Sequence, residues 1–419
     1  MRSYVDQPGL PLVTIASACG NGQSTVTQQR FYFDHSLMAQ PSSELWTIPL
    51  CMRAGNAGPN APETCELISQ REQKIKVPAC TGYLNQNVGG EGYYRSDYSP
   101  EETKAIVGSF ENSLSPVERL TMLENEWALA RIGRHPIRLF MDMVKDTSAD
   151  RTHGVWDDVR GHLTSISEDL VSDQDRQQFQ QFARDVASPV MKQLGWSARP
   201  NDNYEDSSVR ASAFYVLGYL GQDPQAMTEA NKVVKAYMKN PASADPMLAG
   251  PAMEIAASHG DAALYDRLLA NMKKTKIPEV YYRYLSGLTE FQDPALLQRT
   301  LQLALSPTVR SQDTPLVLAQ VFRNPAGRQL AWDFVGSHWP EVKQKTSLWG
   351  GMIVVRSAAA FCSPQAHKQV QDFFTQHPLP AAQRTFRQTL EQIDACVSFK
   401  SAQQPNLAAW LNRGASAAK

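Results

Sequence analysis

Gly92-Tyr-Tyr-Arg-Ser-Asp-Tyr-Ser-Pro-Glu-Glu102 divides the chain. From Ser99 onward this stretch is a helix start: a capping serine, proline at the first helical position and two acids in the first turn. Before it, the texture is that of strands. Pro11–Ala16, Thr25–Phe33, Leu45–Leu50 and Lys74–Pro78 are short apolar or alternating runs separated by Gly, Pro and Asn clusters, which predicts a small antiparallel β-sandwich over residues 1–98. Arg53–Pro62 has too much Gly and Pro for an element and reads as an exposed loop, bracketed by Cys51 and Cys65.

After Ser99 the signals are helical to the end. Ser115-Pro116-Val117-Glu118 opens a second helix, whose apolar positions Leu120, Leu123, Trp127 and Ala130 recur at three- and four-residue steps. Further starts are expected at Ser172-Asp173, Ser306-Pro307 and Asn324-Pro325, with short connections such as Gly221–Pro224 and His259–Asp261. Many helices joined by tight turns predict stacked pairs, a HEAT/armadillo-like α-solenoid over residues 99–419, although no strict period is present. The expected fold class is therefore mainly α with an N-terminal β domain. A solenoid of this kind offers a concave wall that can hold a partner.

Composition narrows the function. The chain has 419 residues, too many for one core, since single cores stop growing at roughly 250–300 residues. Forty-one Lys and Arg nearly cancel forty-two Asp and Glu, which argues against nucleic acid as a partner. No window holds the ~20 apolar residues of a membrane span. The N-terminus lacks an apolar signal region and starts close to strand-forming sequence, as expected of a fragment whose preceding part has been removed.

Of six cysteines, Cys19, Cys51, Cys65 and Cys80 fall in the β-rich part, and Cys362 and Cys396 fall in helical sequence. Their even split fits disulfides within each domain and a periplasmic or secreted location; six buried thiols of a cytosolic protein is the competing reading. The four N-terminal cysteines allow three pairings. Cys362 and Cys396 are expected to pair with each other across the Pro378-x-Pro380 turn.

Catalytic motifs are missing. None of the eight histidines is followed by Glu, so no H-E-x-x-H exists, and there is no G-x-S-x-G, Walker loop, EF-hand loop or G-x-G-x-x-G at a strand-to-helix turn. Without a C-x-x-C pair, no zinc-ribbon type of metal site is expected either.

Several segments resemble the C-terminal half of the aminopeptidase N (M1) zinc aminopeptidases. Tyr4–Val13 is similar to that family's W-x-x-Q-x-G-x-P segment, Leu45–Leu50 to W-x-I-P, and Gly92–Tyr98 to G-Y-Y-R-V-N-Y, with Ser96-Asp97 in place of Val-Asn. Glu118–Ala130 resembles D-R-x-x-L-x-D-D-x-F-x-L-A, and the family's helical domain is echoed by Leu194–Trp196, Ala262–Asp266, Phe291–Pro294, Ser306–Asp313, Arg323–Phe334 and His338-Trp339. The resemblance implies a β-sandwich and helical cap without the thermolysin-like core. It implies no cofactor in this chain, zinc in a catalytic domain of the same parent chain, and a peptide substrate reaching the helical wall.

Arg310, Gln312 and Asp313 are the expected wall residues, because polar groups gathered at a loop-to-helix junction can meet a peptide carboxylate or backbone. Each also has a purely structural reading, with Ser311 and Asp313 as helix caps and Arg310 in a surface ion pair. Tyr93, Tyr94 and Arg95 are expected at the junction of sandwich and solenoid. A stand-alone helical-repeat scaffold or peptide-binding protein is the alternative to an aminopeptidase C-terminal region.

Overall fold

Seven strands form the N-terminal part: β1 (Pro11–Ala16), β2 (Gln23–Arg30), β3 (Ile48–Ala54), β4 (Thr64–Ile68), β5 (Glu72–Lys76), β6 (Leu84–Asn85) and β7 (Arg95–Asp97). The computed structural model describes residues 2–417 apart from 17, 18, 20, 21, 41, 200 and 347. One sheet has the order β5-β2-β1-β7 and the other β4-β3-β6. Because successive residues of a strand face opposite sides, Val13 and Ile15 of β1 enter the core between the sheets, with Val26, Trp46, Ile48, Leu50 and Ile75. Leu12 faces the other way, onto Ala128 and Leu129 of the helix Pro116–Arg131 and Ile132 just after it. The four-stranded sheet is thus covered on both faces, by a sheet and by a helix.

The sandwich departs from the expected one in two respects. Strands β1 and β7 pair in parallel, with Val13 opposite Ser96, so the domain is not wholly antiparallel. Arg53, expected in an exposed loop, lies in β3 and is 2% exposed. The glycine- and proline-rich stretch after it hides this residue's role, which is to meet Glu118 at 2.8 Å. Glu118 was legible only as part of a capping box, and that box is present, with Ser115 N donating to its carboxylate and Ser115 Oγ accepting from its N–H.

Strand gives way to helix between Asp97 and Pro100, where Ser99 and Glu102 form a second capping box. The compact units are drawn elsewhere: Met1–His162 with Ser401–Lys419, and Leu163–Lys400. The first unit keeps the early helices because one of them covers the second face of the sheet. It regains the chain end through the 35-residue helix Gln383–Ala417. There Gln403, 1% exposed, donates to the carbonyls of Ala130 and His135 at 2.7 Å and accepts from Ile137 N at 2.9 Å.

In the second unit, an inner series of helices packs in succession: Tyr204–Tyr215 with its π-helical continuation Val216–Leu220, then Pro246–Ser258, Pro278–Gly287, Thr314–Arg323 and Leu348–Ser357. Helices Pro224–Lys239, Ala262–Lys274 and Pro294–Leu305 alternate with them along the chain and pack on their neighbours, which is how helical repeats bury apolar faces. Asp223, Asp245 and Asp293 each cap a helix that has proline at its first position. Close approach in the inner series depends on glycine: a Cβ on Gly218 would lie 2.6 Å from Ile255, and one on Gly287 2.7 Å from Met253. The expected starts at Ser172, Ser306 and Asn324 open turns, and the helices begin later, at Arg176, Thr314 and Arg328.

The cysteines pair as Cys19–Cys80, Cys51–Cys65 and Cys362–Cys396. Cys51 and Cys65 are register partners in β3 and β4, so of the three pairings left open the structure holds the one that staples the intervening loop. Trp332 and Trp339 are buried in the second unit, where both meet Phe373 and Phe374 edge-on. No described helix is long and apolar enough to cross a membrane.

Candidate functional site

Titratable side chains of the second unit gather from the inner series and from helices beside it. Glu168 ends the helix His153–Asp169, Tyr219 lies in the π-helical turn, Glu254 is on Pro246–Ser258, and Glu290 follows Pro278–Gly287. Arg323 closes Thr314–Arg323, and Arg328 opens Arg328–Ser337. Arg328 Nη2 meets Glu168 Oε2 at 3.4 Å. The Glu290 turn is fixed by Asn324, 5% exposed, whose Nδ2 donates to the carbonyls of Thr289 at 2.9 Å and Phe291 at 2.8 Å. Thr289 Oγ1 donates to Glu290 Oε1 at 3.3 Å.

These groups are close enough to perturb one another. Burial, then the charge of Glu254, pushes the Glu290 carboxyl up to about 8, against the hydrogen bond from Thr289 and the charge of Arg323. Burial raises Glu168 to about 7, although Arg328 and Arg323 pull the other way. The Tyr219 hydroxyl is raised by burial and by Glu290. Near neutrality this wall therefore holds protons that a cationic or donor-rich ligand would displace.

A cavity of about 680 Å³ in the first unit is lined by residues that include Thr14, Asp97, Arg134 and His135. His135 lies between two carboxylates, with Nδ1 2.9 Å from Glu126 and Nε2 3.2 Å from Asp97. Asp97 also accepts from Thr14 Oγ1 at 2.9 Å and from Arg134 Nε at 2.8 Å. Burial disfavours the His135 charge, yet the two carboxylates raise it to about 9. Asp97 is likewise opposed by burial but held near 2 by His135 and Arg134. Asp97 and Glu126 offset Arg134 and His135, and Glu102 adds a further acid to the lining.

Of the residues expected from sequence, Asp313 is 2% exposed and its carboxylate is already engaged. Arg310 Nε donates to it at 2.8 Å and Tyr282 OH at 3.0 Å. It makes no side-chain cap to the helix it precedes. Arg310 lies over the rings of Tyr281 and Tyr282, at 5.6 and 5.4 Å, with an exposed side chain, and Gln312 is exposed. Tyr94 belongs to the sandwich core, Tyr93 is exposed beside Tyr4, and Arg95 reaches the helix Pro116–Arg131 through Glu124 at 3.2 Å. Sequence reading missed Glu168, Glu254, Glu290, Arg323 and Arg328. No motif surrounds any of them in the sequence.

A zinc peptidase set requires two imidazoles one helical turn apart with an intervening glutamate, and this chain has no such pair. A family profile described as ERAP1-like C-terminal domain matches residues 83–395. Aminopeptidase 2 of Candida albicans is 22% identical over 420 residues, 98% of this chain and 45% of that protein. Aminopeptidase M1 of Arabidopsis thaliana is 24% identical over 422 residues, 94% of this chain and 46% of that protein. The thyrotropin-releasing hormone-degrading ectoenzyme of Rattus norvegicus is 22% identical over 440 residues, 99% of this chain and 41% of that protein. The chain spans less than half the length of each.

Proposed function

The chain belongs to the ERAP1-like C-terminal domain family, and from that premise we propose that it is the non-catalytic C-terminal region of a zinc aminopeptidase, capping the active site and holding peptide substrate. Its partner is the catalytic domain of the same parent chain, which supplies the zinc. The observation that carries this reading is the cluster of Glu168, Glu254 and Glu290, with the charges of Arg323 and Arg328 acting on it. The carboxyls of Glu168 and Glu290 are raised toward neutrality by burial, a condition that is costly to keep unless it serves a ligand. The peptide's cationic groups meet these glutamates, and Arg310, with its exposed guanidinium, is the candidate for the peptide's carboxylate. Three disulfides favour a periplasmic or secreted location.

The test is fluorescence anisotropy of a labelled basic nonapeptide with the purified chain. Glu254→Gln with Glu290→Gln is expected to weaken binding about tenfold at pH 8, and wild-type affinity is expected to rise as the pH passes from 6.5 to 8.5. Absence of binding, or equal affinity in the double variant, overturns the reading.

A further inference from the structure

We propose that Glu124, Asp158 and His162 form a binding site for one divalent transition cation of the zinc type. Asp158 and His162 are four residues apart on the helix His153–Asp169, so both side chains project from one face. Glu124 reaches them from the helix Pro116–Arg131, with Oε1 3.0 Å from His162 Nε2. The three donor atoms all lie within 4.8 Å of one another. Zinc holds nitrogen and oxygen ligands at about 2.0–2.2 Å, which places neighbouring ligands roughly 3.3–3.5 Å apart. Small rotations of two carboxylates bring this set to that spacing.

The surroundings favour a held ligand set. The His162 ring is fixed between Trp127, centroids 4.5 Å apart, and Phe140, 5.5 Å apart. Arg95 takes the other oxygen of Glu124, Oε2, at 3.2 Å, which orients the carboxylate and leaves Oε1 toward the imidazole. Asp158 Oδ2 is buried with no donor to it, and its neighbour is the like-charged Glu124 carboxylate, a condition that an inserted cation relieves. Glu124 and His162 keep 34% and 15% of their side-chain surface exposed, which gives a cation access. One imidazole and two carboxylates provide three protein ligands and leave a position for water. No motif announces this set, because its third member comes from a different helix.

The experiment is titration of the EDTA-treated, dialysed chain with zinc chloride by calorimetry, and with cobalt(II) by visible absorption. The expected result is one zinc per chain, with affinity lowered at least about a hundredfold in Asp158→Asn and in His162→Gln, and unchanged in Asp157→Asn. Loss of the cobalt absorption in His162→Gln assigns the nitrogen ligand. Circular dichroism verifies that each variant folds, and Glu124→Gln replaces any variant that does not. No saturable binding, or equal binding in all variants, overturns the proposal and leaves a proton shared between Glu124 and Asp158 as the content of the site.

Discussion

Replacing Glu118 by glutamine probes the joint between the sandwich and its covering helix. The native carboxylate, 1% exposed, accepts from four donors: Arg53 Nη2 and Ser115 N at 2.8 Å on Oε2, and Asn85 Nδ2 at 2.8 Å and Gly89 N at 3.0 Å on Oε1. Glutamine keeps one acceptor oxygen, so its NH2 confronts two of these donors, and each stranded donor costs about 1–3 kcal/mol. Arg53, 2% exposed, also loses its counter-charge, and breaking a buried pair from one side costs about 3–5 kcal/mol. These penalties share the same atoms, so the expected loss is about 3–5 kcal/mol. In a unit of this size that lowers Tm by about 6–20 °C. The native Glu118 carboxyl is held below the usual carboxylate range, since its hydrogen bonds, led by Arg53, outweigh burial. Its stabilisation is therefore present above the unfolded-state value and lost as pH falls through the lowered native one. Urea denaturation followed by circular dichroism measures the loss. Replacing both partners, Arg53→Met with Glu118→Gln, should cost less than Glu118→Gln alone, because no charge remains stranded and one donor fewer confronts the amide NH2. A loss under about 1 kcal/mol in Glu118→Gln, or a double replacement that costs more, refutes the reasoning.

The remaining predictions concern the second unit. Cys362→Ser with Cys396→Ser opens a bond between residues 34 apart in sequence, which chain entropy values at about 3.8 kcal/mol; calorimetry should find the unit's Tm lower by roughly 8–15 °C, and an unchanged Tm contradicts the bond's role. The native Glu290 carboxyl titrates near 8, above its unfolded value, so it contributes stability at low pH that falls away between about 4.5 and 8. Glu290→Gln should therefore raise Tm at pH 8.5 by about 2–4 °C, equivalent to about 1 kcal/mol, with a smaller effect at pH 5; the reverse order argues against a strained carboxyl.

The strand-to-helix change was legible because Ser99, Pro100 and Glu102 act within one helical turn, and the capping box they predict is present. Local chemistry of that kind is readable without knowing the fold. Ser306-Pro307 carried a similar signal and misled, since residues before Asp313 form turns and the helix waits for Thr314. Arg53 was misplaced because its neighbours are loop-forming, while its position is decided by Glu118, far along the chain. The wall of Glu168, Glu254 and Glu290 was illegible for the same reason: each is an ordinary glutamate until successive helices bring them together. Disulfide partners Cys362 and Cys396 could be named because they flank the Pro378-x-Pro380 turn, although Cys362 lies in the connection before the helix Pro364–Gln376 and only Cys396 is helical, whereas the four N-terminal cysteines needed the strand register of β3 and β4 to resolve them.

The central claim is that these residues hold peptide and leave its hydrolysis to a domain outside them. The direct measurement is the rate at which the purified chain, supplemented with zinc, releases chromophore from aminoacyl substrates. The account predicts a rate equal to that of buffer with zinc. Hydrolysis above that background, growing in proportion to the chain added, would contradict it.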